Sequence, residues 1–156
     1  MGDISSPMIL NIFIGLVVIG ITIVIQGFGS KFWIHHLMNN YTNKPLIGFD
    51  RRTVRLLVYT ALFLLTLNFI EAIIWGFTYY LMPGITEFET LEKAIYFSLV
   101  TFTTLGYGEI TISSSSRILS GFEAMNGVLL LGWTTAMMFS VLQFVMKETL
   151  KVKKKK

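Results

Sequence analysis

Cysteine is absent from this 156-residue chain, proline occurs three times, and charged residues make up only 14% of it. Without cysteine there is no disulfide framework and no thiolate metal site, so neither a stapled loop nor a redox compartment is implied. The two histidines, His35 and His36, are adjacent and have no third ligand nearby. They read as interfacial polar residues, not as a metal site or a proton sensor. No nucleophile stands with a base, and no metal-binding cluster is visible, so the chain is not expected to be an enzyme or to need a cofactor.

What the chain has instead is apolar length. Hydrophobic residues make up 53% of it, and the mean hydropathy is +0.65. One charge-free block runs from Met8 to Ile25. A second, Leu56 to Met82, contains only Glu71, and a third, Ile118 to Met146, contains only Glu123. Crossing about 30 Å of hydrocarbon at about 1.5 Å per residue takes about 20 residues, so each block is long enough to span. A fourth stretch, Ala94 to Leu105, is too short and reads as a re-entrant segment.

The net charge of +4 would point to nucleic acid in a soluble protein, but here the charges are sorted by side. Lys31, Lys44, Arg51, Arg52 and Arg55 lie between the first two blocks, and Lys147, Lys151 and Lys153 to Lys156 follow the third. The segment between the second and third blocks carries Glu87, Glu89, Glu92 and Glu109 against Lys93 and Arg117. Positive residues stay inside. The expected topology is therefore an outside N-terminus, three spans and a cytoplasmic C-terminus, in a cell-membrane protein with no nucleic-acid partner. Arg51, Arg52 and Arg55 lie at an interface, not at three-residue spacing inside a span, which argues against a voltage sensor. The lysine tail reads as a solvated anchor, with anionic lipid head groups as a secondary partner at about 1 kcal/mol per basic residue.

Pro83-Gly84 ends the second block, and Thr90 is placed to cap a helix that begins at Leu91. That helix, 91–103, is about 20 Å long, enough to enter half a bilayer and stop. Gly106 and Gly108 break it, and the polar run Thr111 to Ser116 returns the chain to the surface. Non-helical backbone at membrane depth is tolerated only where protein buries it or where it lines a watery path. The pattern of half-helix, broken segment and return is that of a pore.

At the tip the residues read Thr103-Thr104-Leu105-Gly106-Tyr107-Gly108-Glu109. This resembles the selectivity filter of the potassium channel family, Thr-Val-Gly-Tyr-Gly followed by Asp, with Leu105 in place of Val and Glu109 in place of Asp. Tyr96 to Thr104 is similar to the pore helices of that family, most of all its two-pore-domain branch, and a single pore loop per chain fits a prokaryotic member. The resemblance implies an all-α membrane protein of three transmembrane helices with a re-entrant pore helix and filter loop, assembled as a homotetramer, since one segment cannot make a ring.

On this reading residues 1–55 are an extra helix and a basic linker. Residues 56–147 are the pore domain, with an outer helix 56–82, pore helix 91–103, filter 104–108 and inner helix 118–146. Residues 148–156 are a basic tail. Rings of backbone carbonyls replace the water shell of a potassium ion. By resemblance, the carbonyls of Thr104, Leu105, Gly106 and Tyr107, with the Thr104 hydroxyl, bind it, while Gly106 and Gly108 supply the positive φ that the backbone requires. Potassium is then a permeant ligand and not a cofactor.

Thr103, Tyr96, Phe97 and Glu109 are expected to support the filter, with the Tyr107 ring braced on Tyr96 and Phe97. Val100 stands where some bacterial members carry a glutamate that pairs with the acid after the filter, so that pair is absent. Gly127 and Gly132 resemble the hinge of the inner helix, the alternative being a glycine that permits close packing. With Gly127 at the hinge, Leu131, Thr135 and Phe139 line the cavity. An acid near mid-span costs about 2.5–3.5 kcal/mol unless it finds a partner, so Glu71 is expected to brace the pore helix from behind, bonded to a group such as Thr101. The alternatives are a weakly selective cation channel, and a potassium transporter or assembly subunit with a pseudo-filter.

Overall fold

The computed structural model describes residues 5–41, 50–112 and 115–154. Lys44, the last two lysines, Lys155 and Lys156, and part of the polar run Thr111 to Ser116 lie outside them. Among the described residues the only regular secondary structure is helix: α1 (Ser5–Tyr41), α2 (Arg51–Leu81), α3 (Leu91–Phe102), a single 3-10 turn (Ser115–Arg117) and α4 (Ile118–Lys154). Three of these, over Met8–Asn39, Arg51–Leu81 and Ile118–Leu150, are long and apolar enough to cross a membrane. The fourth, α3, has 12 residues and covers only about 18 Å at 1.5 Å per residue.

Local chemistry sets the ends. Asp50 caps α2 by accepting from the Arg52 amide at 2.7 Å, and the Thr90 hydroxyl caps α3 by accepting from the Lys93 amide at 3.3 Å, each meeting one of the donors that a helix start leaves unpaired. Both α1 and α4 have 37 residues, about 55 Å of helix, well beyond the hydrocarbon thickness. The basic tail assigned to residues 148–156 is accordingly not separate from the inner helix, which continues to Lys154.

The buried positions of α4 (Leu119, Glu123, Asn126, Leu130, Met137, Val141 and Val145) recur at three, four or seven residues, so one stripe faces the bundle. The opposite stripe, with Met125 at 71%, Val128 at 60% and Phe139 at 58% exposure, has no cover within the chain. The short α3 lies between α2 and α4. A Cβ on Gly76 would stand 2.9 Å from the Ile95 Cα, so α2 and α3 touch backbone to backbone there.

Helix α1 is held to the other two by polar side chains. Asn11 donates to Ser116 (3.2 Å), Asn126 to Thr22 (2.8 Å), Gln26 to Thr134 (3.0 Å), and the Trp33 indole to Thr60 (3.0 Å). Asn68 of α2 meets the same Thr134 at 3.1 Å. Positions 11, 22, 26 and 33 fall on one helical face. In a membrane the hydrophobic effect does not press helices together, and such bonds supply part of what does.

Candidate functional site

The site grows from the C-terminal end of α3. Thr103 is the cap residue, with φ −82° and ψ 0°. The Thr104 amide donates to the Thr101 carbonyl (2.9 Å) and the Leu105 amide to the Val100 carbonyl (2.9 Å), while Thr104 itself has φ +60°. These two bonds around a left-handed residue make a Schellman cap, a position usually given to glycine. A β-branched residue there costs of order 1–3 kcal/mol. The Gly106 amide adds a second bond to the Val100 carbonyl at 3.2 Å, and the Thr103 hydroxyl returns to the Leu99 carbonyl at 2.7 Å.

Positive φ then recurs at every second residue: Thr104 at +60°, Gly106 at +53° and Gly108 at +78°. In an extended strand successive carbonyls point to opposite sides. Inverting every second residue brings them toward one side, the arrangement that an ion-coordinating row of carbonyls needs. Residues 103–109 are all exposed in the single chain. A cleft of about 1050 Å³ lies beside them, lined by Val100, Thr104, Gly106, Gly108, Arg117 and Gly121 among others.

The supports differ in part from those expected. The Tyr96 hydroxyl donates to Glu109 Oε2 at 3.1 Å, tying α3 to the acid that follows Gly106-Tyr107-Gly108. Phe97 is buried, but its ring packs edge-on against Tyr79 (centroids 5.1 Å) and against Phe88 (5.1 Å). Tyr107 is 64% exposed and stacks on neither Tyr96 nor Phe97 among the described residues, because its ring leaves the chain's own surface. At the start of α3 the Lys93 ammonium, 2.6 Å from Glu89, holds that carboxyl below the usual carboxylate range. Being exposed, this pair contributes little to stability.

Glu71 is fully buried, yet neither of its carboxyl oxygens has a hydrogen-bond partner among the described residues. The expected bond to Thr101 is not made. The reason is one of helical phase: α2 presents Ala72 and Gly76 to α3, about 100° and about 140° around the helix from Glu71. Glu71 instead shares its face with Asn68, which bonds to Thr134 of α4. Glu71→Leu is therefore expected to raise stability by about 1–3 kcal/mol, the cost of an unsatisfied buried polar group. Thermal unfolding of the purified protein checks this, and a clear loss of stability would mean that the carboxyl has a partner in the assembled state.

The acid that is partnered is Glu123. It accepts from the Tyr79 hydroxyl at 2.6 Å and lies within hydrogen-bond distance of the Ser98 hydroxyl of α3. Sequence reasoning missed Tyr79 and Ser98, because nothing local links residues that are 44 and 25 positions away. It also missed the polar face of α1. The signal there was legible, since Asn11, Thr22 and Gln26 recur at near-helical spacing inside an apolar run.

Gly127 packs directly on the end of α3: a Cβ would fall onto the Phe102 carbonyl oxygen and 2.8 Å from its carbonyl carbon, whereas Gly132 has no atom within 4 Å of such a position. Of the residues assigned to a cavity, Thr135 and Phe139 are exposed, and Leu131 is partly buried against the main core.

No curated protein and no solved structure matched the chain. A family model described as "Ion channel" matches residues 57–144. That match takes in nearly all of α2, the whole of α3, the segment after it and most of α4, and leaves α1 outside. With a helical bundle, three helices of spanning length and a half-helix ending in a broken segment within the matched region, the chain belongs to this family of ion channels.

Proposed function

We propose that the protein is a potassium-selective channel, four copies of which surround one conduction path. The observation that carries this reading is the alternation of positive φ at Thr104, Gly106 and Gly108 within Thr-Leu-Gly-Tyr-Gly. A row of carbonyls turned to one side replaces the hydration shell of an ion, and adjacent sites let one ion displace the next. One row supplies only a quarter of a ring. The uncovered stripe of α4 and the open cleft beside the filter support a closed fourfold assembly, since both leave surface for neighbouring copies. The permeant ion is the only ligand this reading requires. The membrane is the cell membrane, with the N-terminus outside, and the basic end of α4 lies on the cytoplasmic side near anionic lipid heads.

Reconstitution of the purified protein in vesicles tests this. Reversal potentials in potassium against sodium are expected to follow the potassium gradient. A current indifferent to the two ions would replace this reading with the weakly selective cation channel. Tetrameric protein that carries no current would favour the transporter or assembly subunit.

A further inference from the structure

Three helices meet at one buried carboxyl. Glu123 of α4 lies 2.6 Å from the Tyr79 hydroxyl of α2 and against the hydroxyl of Ser98, at the middle of α3. The same Ser98 hydroxyl is 2.6 Å from the Ala72 carbonyl of α2. Tyr79, Ser98 and Glu123 are all fully buried.

The protons in this cluster can be counted. Its acceptors are the Ala72 carbonyl and the two oxygens of Glu123, and its hydroxyls, on Tyr79 and Ser98, supply one proton each. If Ser98 donates to Ala72 and Tyr79 to Glu123 Oε2, the contact between Ser98 and Oε1 has no proton left unless the carboxyl carries one. Charge leads to the same place. No lysine, arginine or histidine forms an ion pair with Glu123 among the described residues. On the helices around it, Arg51, Arg52 and Arg55 are exposed at the far end of α2. Lys93 is engaged with Glu89, and Lys31 and Arg117 are exposed. Glu71, the other buried charge-bearing group, is itself an acid. An unpaired ionised carboxylate is among the most costly groups to bury.

We propose that Glu123 is the positioning residue of the filter: as a neutral acid it donates to Ser98 and accepts from Tyr79, and it holds the pore helix at its depth by hydrogen-bond geometry and not by charge. Ser98 lies six residues before Thr104, about 9 Å along the helix axis, so a shift of Ser98 moves the Schellman cap and the carbonyl row with it. This inference rests on the reading of residues 104–108 as the filter.

The test compares Glu123→Gln with Glu123→Ala in reconstituted full-length protein. A glutamine amide donates to Ser98 and accepts from Tyr79 in the same places without charge. Glu123→Gln is expected to keep the potassium-to-sodium permeability ratio within about twofold of the parent, and Glu123→Ala to lower it at least about tenfold, because Ser98 and Tyr79 then lose their buried partner. If Glu123→Ala does not assemble, Ser98→Ala and Tyr79→Phe each remove one bond, and Ser98→Ala is expected to have the larger effect on the ratio. A protonated-carboxyl infrared band at neutral pH that is lost in Glu123→Gln is the direct signature.

Glutamine as damaging as alanine, or the absence of that band, would overturn the neutral-acid assignment. A ratio unchanged in Glu123→Ala, or unchanged in both Ser98→Ala and Tyr79→Phe, would overturn the positioning role. A parent protein without ion discrimination fails the filter reading instead, so the two failures are distinguishable.

Discussion

Replacing Gly127 by alanine is expected to destabilise the protein by about 3 kcal/mol, at the upper end of what overpacking usually costs, and to abolish selective current. The added methyl would fall on the Phe102 carbonyl oxygen, 2.8 Å from the carbonyl carbon and 3.0 Å from the Cα. All three atoms are backbone, so no side-chain rotation relieves the clash, and α4 must move away from α3. Phe102 is the last residue of α3, immediately before the Thr103–Thr104 cap, so the displacement reaches the carbonyl row directly.

Gly132→Ala is the control. Its Cβ meets no atom within 4 Å, and the protein is expected to keep or slightly raise its thermal midpoint, since Ala is favoured over Gly in a helix by about 0.8–1.0 kcal/mol. Thermal unfolding and reversal potentials on the pair separate a glycine needed for close approach from one needed only for bending. A Gly127→Ala protein with parental stability and current would show that the contact between α3 and α4 yields easily.

Gly106→Ala is expected to do the opposite: assembly and thermal stability stay near parental while discrimination between potassium and sodium falls at least about tenfold. Gly106 has φ +53° and open space at its Cβ within the chain, so the substitution meets no clash there, only a conformational cost of roughly 1–2 kcal/mol. That is small beside the stability of a folded protein but similar to the difference between two arrangements of a short loop. If residue 106 leaves the left-handed region, the alternation with Thr104 and Gly108 is broken and, in the proposed fourfold assembly, one ring of carbonyls turns away from the axis. Bi-ionic reversal potentials measure the loss, and retained discrimination would mean that position 106 does not contribute to coordination.

These two glycines show how unevenly the site was legible. At Gly106 and Gly108 the need for positive φ belongs to the residue itself, and both have it. Thr104 also has positive φ, which no propensity suggests for a β-branched residue. It follows from the Schellman bonds at the end of α3, which depend on where the helix stops. At Gly127 the residue type left hinge and packing equally open, and the choice depended on how near α4 comes to the Phe102 backbone.

The two buried acids make the same point. Glu71 and Glu123 are each the lone charge in an apolar span, and both are buried. Glu71 was expected to reach the pore helix, but it is Glu123 that does so, through Ser98.

The sequence by itself determined which segments are long enough to cross a membrane, which one is too short, and where the chain must break at membrane depth. These follow from rise per residue, hydrocarbon thickness and backbone freedom, all of them local quantities. Only the tertiary structure decided which side chains meet. Each residue turns the helix by about 100°, so Ala72 faces the pore helix and its neighbour Glu71 does not. Which face meets which depends on how α1, α2 and α4 cross, and no single helix carries that information.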